Sequence, residues 1–103
     1  MQVRLVALVA TLSLTGIAGA QAPQALLQQY KCYLCHADFE AKTGPAYVDV
    51  AARYRGDPKA VATVAAMIRN GVRGNAPWHM PPHPEVSDAN ARAMARYILS
   101  LKQ

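Results

Sequence analysis

Apolar residues recur three and four positions apart in four segments of the chain, which is the spacing of a buried helix face. The apolar positions are Leu26, Leu27 and Tyr30; then Tyr47, Val50, Ala51 and Tyr54; then Val61, Val64, Ala65 and Ile68; and last Ala91, Met94, Ala95, Ile98 and Leu101. No segment alternates apolar and polar residues as a half-buried strand would. The pattern predicts an all-α fold with about four helices.

Residues that start or stop helices mark the boundaries of these segments. Proline suits the first helical position, short polar side chains suit the N-cap, and glycine suits the end of a helix. The predicted boundaries are about 23–33 for the first helix, Pro45 to Gly56 for the second, Asp57 and Pro58 to the stop at Asn70-Gly71 for the third, and Ser87 with Asp88 onwards for the fourth.

Two stretches between the helices carry no periodic pattern. One covers 37–44, and the longer one covers 71–84, where two glycines and four prolines exclude regular structure. A loop of that length in a small domain usually has a functional role.

The chain begins with the pattern of a secretory leader. Arg4 precedes an apolar run from Leu5 to about Ile17, and the small residues of 18–20 suit a cleavage site. The run is shorter than the roughly 20 apolar residues that span a bilayer. We therefore predict a signal peptide over 1–20, a mature domain over 21–103, a periplasmic location, and no stable membrane insertion after cleavage. An uncleaved membrane anchor is the alternative.

The charge and the size of the chain bear on its partners and on how its core is stabilised. The 11 Lys and Arg of the whole chain outnumber its 6 Asp and Glu, but they are spread along the sequence and do not alternate with aromatic residues. That distribution favours acidic protein partners weakly, serves solubility equally well, and gives no sign of nucleic-acid binding. A domain of this size often needs a cofactor or cross-link to stabilise its thin core.

The motif with clear chemistry is C-x-x-C-H at 32–36, which contains both cysteines of the protein. This motif is typical of c-type haem attachment. Cys32 and Cys35 can form thioethers to one edge of a porphyrin, and His36 can then ligate the iron. The position of the motif, soon after an export signal, strengthens the interpretation. We predict one covalent haem c.

Three other interpretations of the cysteines remain. A thioredoxin-like redox pair would need a βαβ scaffold, which the pattern does not show. A zinc site could recruit His79 and His83, but these lie far beyond the usual ligand spacing, and the prolines between them prevent a helix. A structural disulfide would leave His36 unexplained.

The second axial ligand should come from the irregular stretch 71–84. Met80 is the preferred candidate, since its thioether is a soft ligand and the two prolines after it stiffen the loop. Ligation by His79 or His83, or an open sixth position as in a gas-binding or catalytic haem, are the alternatives.

Several short motifs in one order resemble the small bacterial class I c-type cytochromes. They are the residues at 32–36, 44–47, 68–71, 80–82 and 86–88, followed by a terminal helix ending at 97–100. The resemblance covers nearly the whole of 21–103. It implies the class I cytochrome c fold, with about four helices around one covalent haem ligated by His36 and Met80.

The resemblance also implies roles for further residues. The carbonyl of Pro45 should accept a hydrogen bond from the free ring nitrogen of His36, and Leu27 should meet the terminal helix. Relatives often have a tryptophan five residues before the methionine, bonded to a haem propionate; this chain has Asn75 there. Trp78 is instead expected to pack on the haem edge.

The expected function is transfer of single electrons between redox proteins, such as a dehydrogenase, a reductase or a terminal oxidase. No residue set indicates substrate turnover, so we expect no enzyme activity. A haem subunit bound permanently to a periplasmic dehydrogenase, oxidising sulfite or an alcohol for instance, is one alternative. A sensor or enzyme with an open iron site is the other.

Overall fold

The computed structural model describes residues 2–11, 21–74 and 79–103. Over these residues the fold is all-α, as predicted, with an isolated antiparallel bridge between Val72 and Met80 as the one β-type pairing. The elements are α1 (Pro23–Gln29), a 3₁₀ turn (Cys32–Leu34), α2 (Tyr47–Arg53), α3 (Ala60–Asn70) and α4 (Asp88–Ser100). Asn75 and Trp78 lie outside the described residues.

The first helix is shorter than the predicted span of 23–33. It ends at Gln29, and Lys31 adopts a left-handed conformation with φ 60°. That conformation cannot continue a right-handed helix, so the cysteines lie on a separate 3₁₀ turn. The prediction that the first helix continues to about residue 33 was wrong.

Two other helices begin two residues later than predicted. α2 starts at Tyr47 rather than Pro45, and α3 at Ala60 rather than Pro58. The Asp57 carboxylate accepts a hydrogen bond of 2.8 Å from the backbone N–H of Lys59, so it stabilises a turn before the helix. The predicted cap of α4 is confirmed, since Ser87 Oγ accepts from the N–H of Asn90 at 3.1 Å.

α4 is the central element of the fold. It lies against α1, α2 and α3, whereas the backbones of these three helices do not come close to one another in the described residues. Leu27 of α1 and Met94 of α4 are both completely buried in one core cluster with Ile98. The expected contact between the first and last helices is therefore present. Cys32, Tyr33 and Met80 are half-buried at the edge of this core.

Residues 2–11 do not join the core. Their large apolar side chains are all at least 80% exposed: Val3, Leu5, Val6, Leu8 and Val9. Among the described residues, no helix has the length and apolar character needed to span a bilayer.

Candidate haem site

The two thiols lie on a tight turn that also sets the position of His36. The backbone N–H groups of Cys35 and His36 both donate to the carbonyl of Cys32, at 3.1 and 3.0 Å. Cys32 is half-buried and Cys35 is exposed, and both are free thiols. Burial raises the pKa of the Cys32 thiol. Two free thiols on one turn are what attachment at two points requires.

The imidazole of His36 is fixed on several sides. Its Nδ1 lies 2.8 Å from the carbonyl oxygen of Pro45. A carbonyl can only accept, so Nδ1 carries the proton and Nε2 of the neutral ring keeps its lone pair for a metal. The Tyr47 ring stacks on the imidazole with centroids 4.8 Å apart and planes 17° apart. The hydrogen bond implied by the resemblance is thus present, and it orients the ring as partners of metal-bound histidines do.

Gly44 packs against the imidazole so closely that no side chain fits. A Cβ at this position would lie 2.8 Å from Nδ1 and 2.9 Å from Nε2 of His36. The glycine N–H donates to the carbonyl of Cys35 at 2.6 Å. Gly44 therefore brings the loop back onto the motif and places Pro45 beside the ring.

Further hydrogen bonds hold this loop against the start of α2. The N–H groups of Tyr47 and Val48 donate to the carbonyls of Ala37 and Asp38, each at 2.9 Å. Lys42 Nζ donates to the Tyr33 carbonyl at 2.8 Å. These hydrogen bonds hold the irregular stretch 37–44 against the side of His36 on which Pro45 lies.

Met80 is held by its backbone on a separate segment. Its N–H and carbonyl pair with those of Val72, both at 3.0 Å. Gly71, with φ +76°, lies beneath this pairing, where a Cβ would meet the Met80 carbonyl oxygen at 2.6 Å. The N–H of His83 donates to the carbonyls of Ile68 and Arg69, each at 3.2 Å. The Met80 segment is therefore anchored to the end of α3 on both sides of its prolines.

The histidines near Met80 differ in environment. His79 is exposed, whereas His83 is half-buried. The Nδ1 of His83 is buried without a hydrogen-bond partner among the described residues. Buried polar atoms nearly always have a partner, so a polar group outside the described residues is expected beside His83.

Sequence reasoning missed a cluster next to the motif. Asp38 accepts hydrogen bonds from the Tyr33 hydroxyl at 3.0 Å and from the Tyr97 hydroxyl at 2.6 Å. Burial and the Asp38 carboxylate raise the pKa of Tyr33, and the bond to Asp38 raises the pKa of Tyr97. Asp38 and Tyr97 are 59 residues apart, so no local pattern could pair them.

The arrangement disfavours the other interpretations of the cysteines. In the part of the chain that the structure describes, no three His, Cys, Asp or Glu side chains come together to hold a metal ion. The same residues contain no strand for a thioredoxin-like scaffold. The donor set suits a haem instead: two thiols, an imidazole with one nitrogen fixed and one available, and an anchored thioether.

An all-α domain with these features is the class I type of c-type cytochrome. Residues 18–98 match the family model described as cytochrome c oxidase, cbb3-type, subunit III. Cytochrome c-552 of Hydrogenobacter thermophilus is 41% identical over 97 residues, which is 92% of this chain and 95% of that protein. Cytochrome c-551 of Pseudomonas aeruginosa is 42% identical over 86 residues, or 82% of each chain.

The fold comparison agrees with the sequence comparison. The crystal structure of wild-type cytochrome c552 from Nitrosomonas europaea matches with a TM-score of 0.72 and 38% identity, covering 77% of this chain and 99% of that chain. The chain belongs to the family of small class I c-type cytochromes. It carries one covalent haem c, transfers electrons rather than turning over a substrate, and works with other redox proteins. The subunit and open-site alternatives are not favoured.

Proposed function

We propose that Cys32 and Cys35 attach the haem through thioethers, that His36 and Met80 are its axial ligands, and that the mature domain 21–103 shuttles single electrons in the periplasm. Pro45 orients His36 in this proposal, and Trp78 packs on the haem edge. The bound haem supplies a one-electron iron couple. The residues of the chain attach it, fix its ligands and exclude water from them.

The main support for this proposal is the orientation of the His36 ring. Its protonated Nδ1 bonds to Pro45 while Gly44 and Tyr47 hold the ring. Only Nε2 is left to bind a metal, and it belongs to the residue directly after the thiol pair. A ligand held this firmly moves little between two oxidation states, which favours fast electron transfer.

Met80 is the preferred ligand on the opposite side. Both of its backbone polar groups are bonded to Val72, and its side chain is half-buried against the core. His79 is exposed and lacks such packing. A methionine opposite a histidine also raises the reduction potential, as an electron carrier between two redox enzymes requires.

The decisive experiment replaces Met80 by alanine in the haem-loaded protein. We expect the Met80→Ala protein to lose the ferric absorption band of methionine–iron ligation, to fall in reduction potential, and to bind carbon monoxide rapidly in its ferrous form. Met67→Leu is the matched control, because Met67 is also a half-buried methionine but contacts the Tyr54 hydroxyl at 3.8 Å. An unchanged spectrum in Met80→Ala would contradict the proposal, as would loss of the band in Met67→Leu.

The proposed periplasmic location requires export through a leader at 1–20. The apolar side chains of 2–11 stay exposed, as expected of a leader that is not part of the folded domain. The intact mass of the protein released from the periplasm should correspond to 21–103 plus one haem. Recovery of the full-length chain would contradict cleavage. A dehydrogenase, a reductase or a terminal oxidase is the expected partner.

A further inference from the structure

Asp38 occupies an unusual position for a carboxylate. It is half-buried, and its two oxygens accept hydrogen bonds from different phenols, Tyr33 Oη at 3.0 Å and Tyr97 Oη at 2.6 Å. Neither donor carries a charge, so neither cancels the charge of the carboxylate. In the described part of the chain no lysine or arginine forms an ion pair with Asp38, and Lys42 binds the Tyr33 carbonyl instead.

A chain of contacts connects this carboxylate to the proposed proximal ligand. The Tyr33 ring lies against the Tyr47 ring, with centroids 6.0 Å apart and planes 59° apart. The Tyr47 ring stacks in turn on the imidazole of His36. The backbone gives a second connection, because the Asp38 carbonyl accepts from the N–H of Val48 at 2.9 Å. Asp38 therefore holds Tyr33, whose ring contacts the Tyr47 ring that stacks on His36.

We propose that Asp38 is a positioning residue that sets the reduction potential of the haem by placing a fixed negative charge on the side of His36. This inference rests on the proposed attachment at 32–36. A half-buried charge is screened less by water and salt than an exposed one. Negative charge stabilises the ferric iron, which carries one positive charge more than the ferrous iron, and so lowers the potential.

The hydroxyl groups of Tyr33 and Tyr97 adjust the effect of the Asp38 charge on the reduction potential. Each hydroxyl donates to the carboxylate and draws some charge density away from it. Tyr33 sets the orientation of the carboxylate from within the attachment motif, and Tyr97 does so from α4. A purely structural role would predict lower stability from any change in the cluster, with no ordered effect on the potential.

The test is a spectroscopic redox titration of haem-loaded variants at one neutral pH. Asp38→Asn keeps the size of the side chain and one acceptor oxygen but removes the charge, so the potential should rise, with a severalfold increase in the equilibrium constant for reduction. Tyr33→Phe and Tyr97→Phe keep the charge and both rings but remove a donor, so the potential should fall. Potential shifts of opposite sign in Asp38→Asn and in the two Tyr→Phe variants would distinguish an effect of the Asp38 charge from an effect of side-chain packing.

Asp49→Asn is the matched control, since Asp49 is an exposed carboxylate on α2. It removes the same net charge and should shift the potential much less. An equal shift in Asp38→Asn and Asp49→Asn would overturn the inference, and so would shifts of the same sign in Asp38→Asn and Tyr33→Phe. Wild-type protein without covalent haem would contradict the proposed attachment instead, so the two failures are distinguishable.

Discussion

The imidazole of His36 shows how closely one side chain can be defined by its neighbours. Pro45 fixes one nitrogen, Tyr47 stacks on the ring, and Gly44 leaves no room for rotation. Each contact involves a different kind of interaction: a hydrogen bond, aromatic stacking and close backbone approach. The residue next to a thiol pair thereby has a single orientation, as the proposed ligand role requires.

Gly44→Ala should disrupt this arrangement. The added Cβ would come within 2.9 Å of both ring nitrogens, so the ring or the loop must move. Overpacking of this kind costs about 1–3 kcal/mol. We expect a loss of that size in the free energy of unfolding of the haem-loaded protein, together with a changed absorption spectrum.

Thr43→Ala is the control for Gly44→Ala, because Thr43 is an exposed neighbour in the same loop. It should change stability by no more than about 0.5 kcal/mol and leave the spectrum as it is. If Gly44→Ala behaved like Thr43→Ala in denaturant titration, the proposed contact with His36 would be wrong.

At the scale of elements, the connection between α3 and the Met80 segment depends on the chain reversal at Gly71. The positive φ of Gly71 ends the helix and brings the Met80 carbonyl directly over its Cα. The paired backbone groups of Val72 and Met80 follow from this reversal. A short irregular segment thus keeps a defined position although it contains no helix or strand.

Gly71→Ala should therefore cost more than backbone strain alone. A left-handed alanine costs about 1–2 kcal/mol, and the clash of its Cβ with the Met80 carbonyl adds to this. We expect the variant to be less stable and, with Met80 as the proposed ligand, to exchange that ligand faster for added imidazole, measured by absorbance after mixing.

Gly56→Ala separates the two contributions to the effect of Gly71→Ala. Gly56 has φ +83°, but a Cβ there would meet no atom within 4 Å. The Gly56→Ala variant should lose stability through backbone strain alone and keep the wild-type rate of imidazole binding. Equal imidazole rates in both glycine variants would show that the contact with Met80 is unimportant.

For the whole molecule, the way the helices pack indicates how much the haem contributes to stability. In the described residues α1, α2 and α3 each pack closely on α4, and their backbones do not approach one another. A domain of this size has only a few kcal/mol of stability from its apolar core. A group that binds only the folded state adds its binding free energy to the stability of that state.

The protein without haem should consequently be largely unfolded. Replacement of Cys32 and Cys35 by alanine prevents covalent attachment, and circular dichroism should then show little helix. Haem-loaded wild-type protein in the same buffer is the reference and should show the full helical signal. A native-like helical spectrum with cooperative thermal unfolding in the haem-free variant would contradict this expectation.

Local sequence signals predicted those parts of the fold that depend on local interactions. The apolar spacing and the Ser87 cap located α4 correctly, because both features act within one or two turns of helix. The end of α1 was missed, since nothing near Lys31 reveals its left-handed backbone. Pro45 was predicted as the first residue of α2, but the helix begins at Tyr47, and the Pro45 carbonyl accepts the hydrogen bond from His36 that the resemblance implied.

The predictions for the candidate site also came from local motifs. The thiols and His36 follow from a motif of five residues, and Met80 follows from its setting between a tryptophan and two prolines. The roles of Asp38, Tyr97 and Val72 arise from contacts between distant segments. Only the folded chain brings these residues to the site.

The dependence of three helices on α4 has a consequence for how the protein is made. α4 follows α1, α2 and α3 in the sequence, so it is synthesised after them. Until it arrives, α1, α2 and α3 have no common surface to pack on, and Asp38 lacks the Tyr97 hydroxyl. The thiols at 32 and 35 are synthesised before α4, so they remain accessible for the proposed haem attachment until the domain closes.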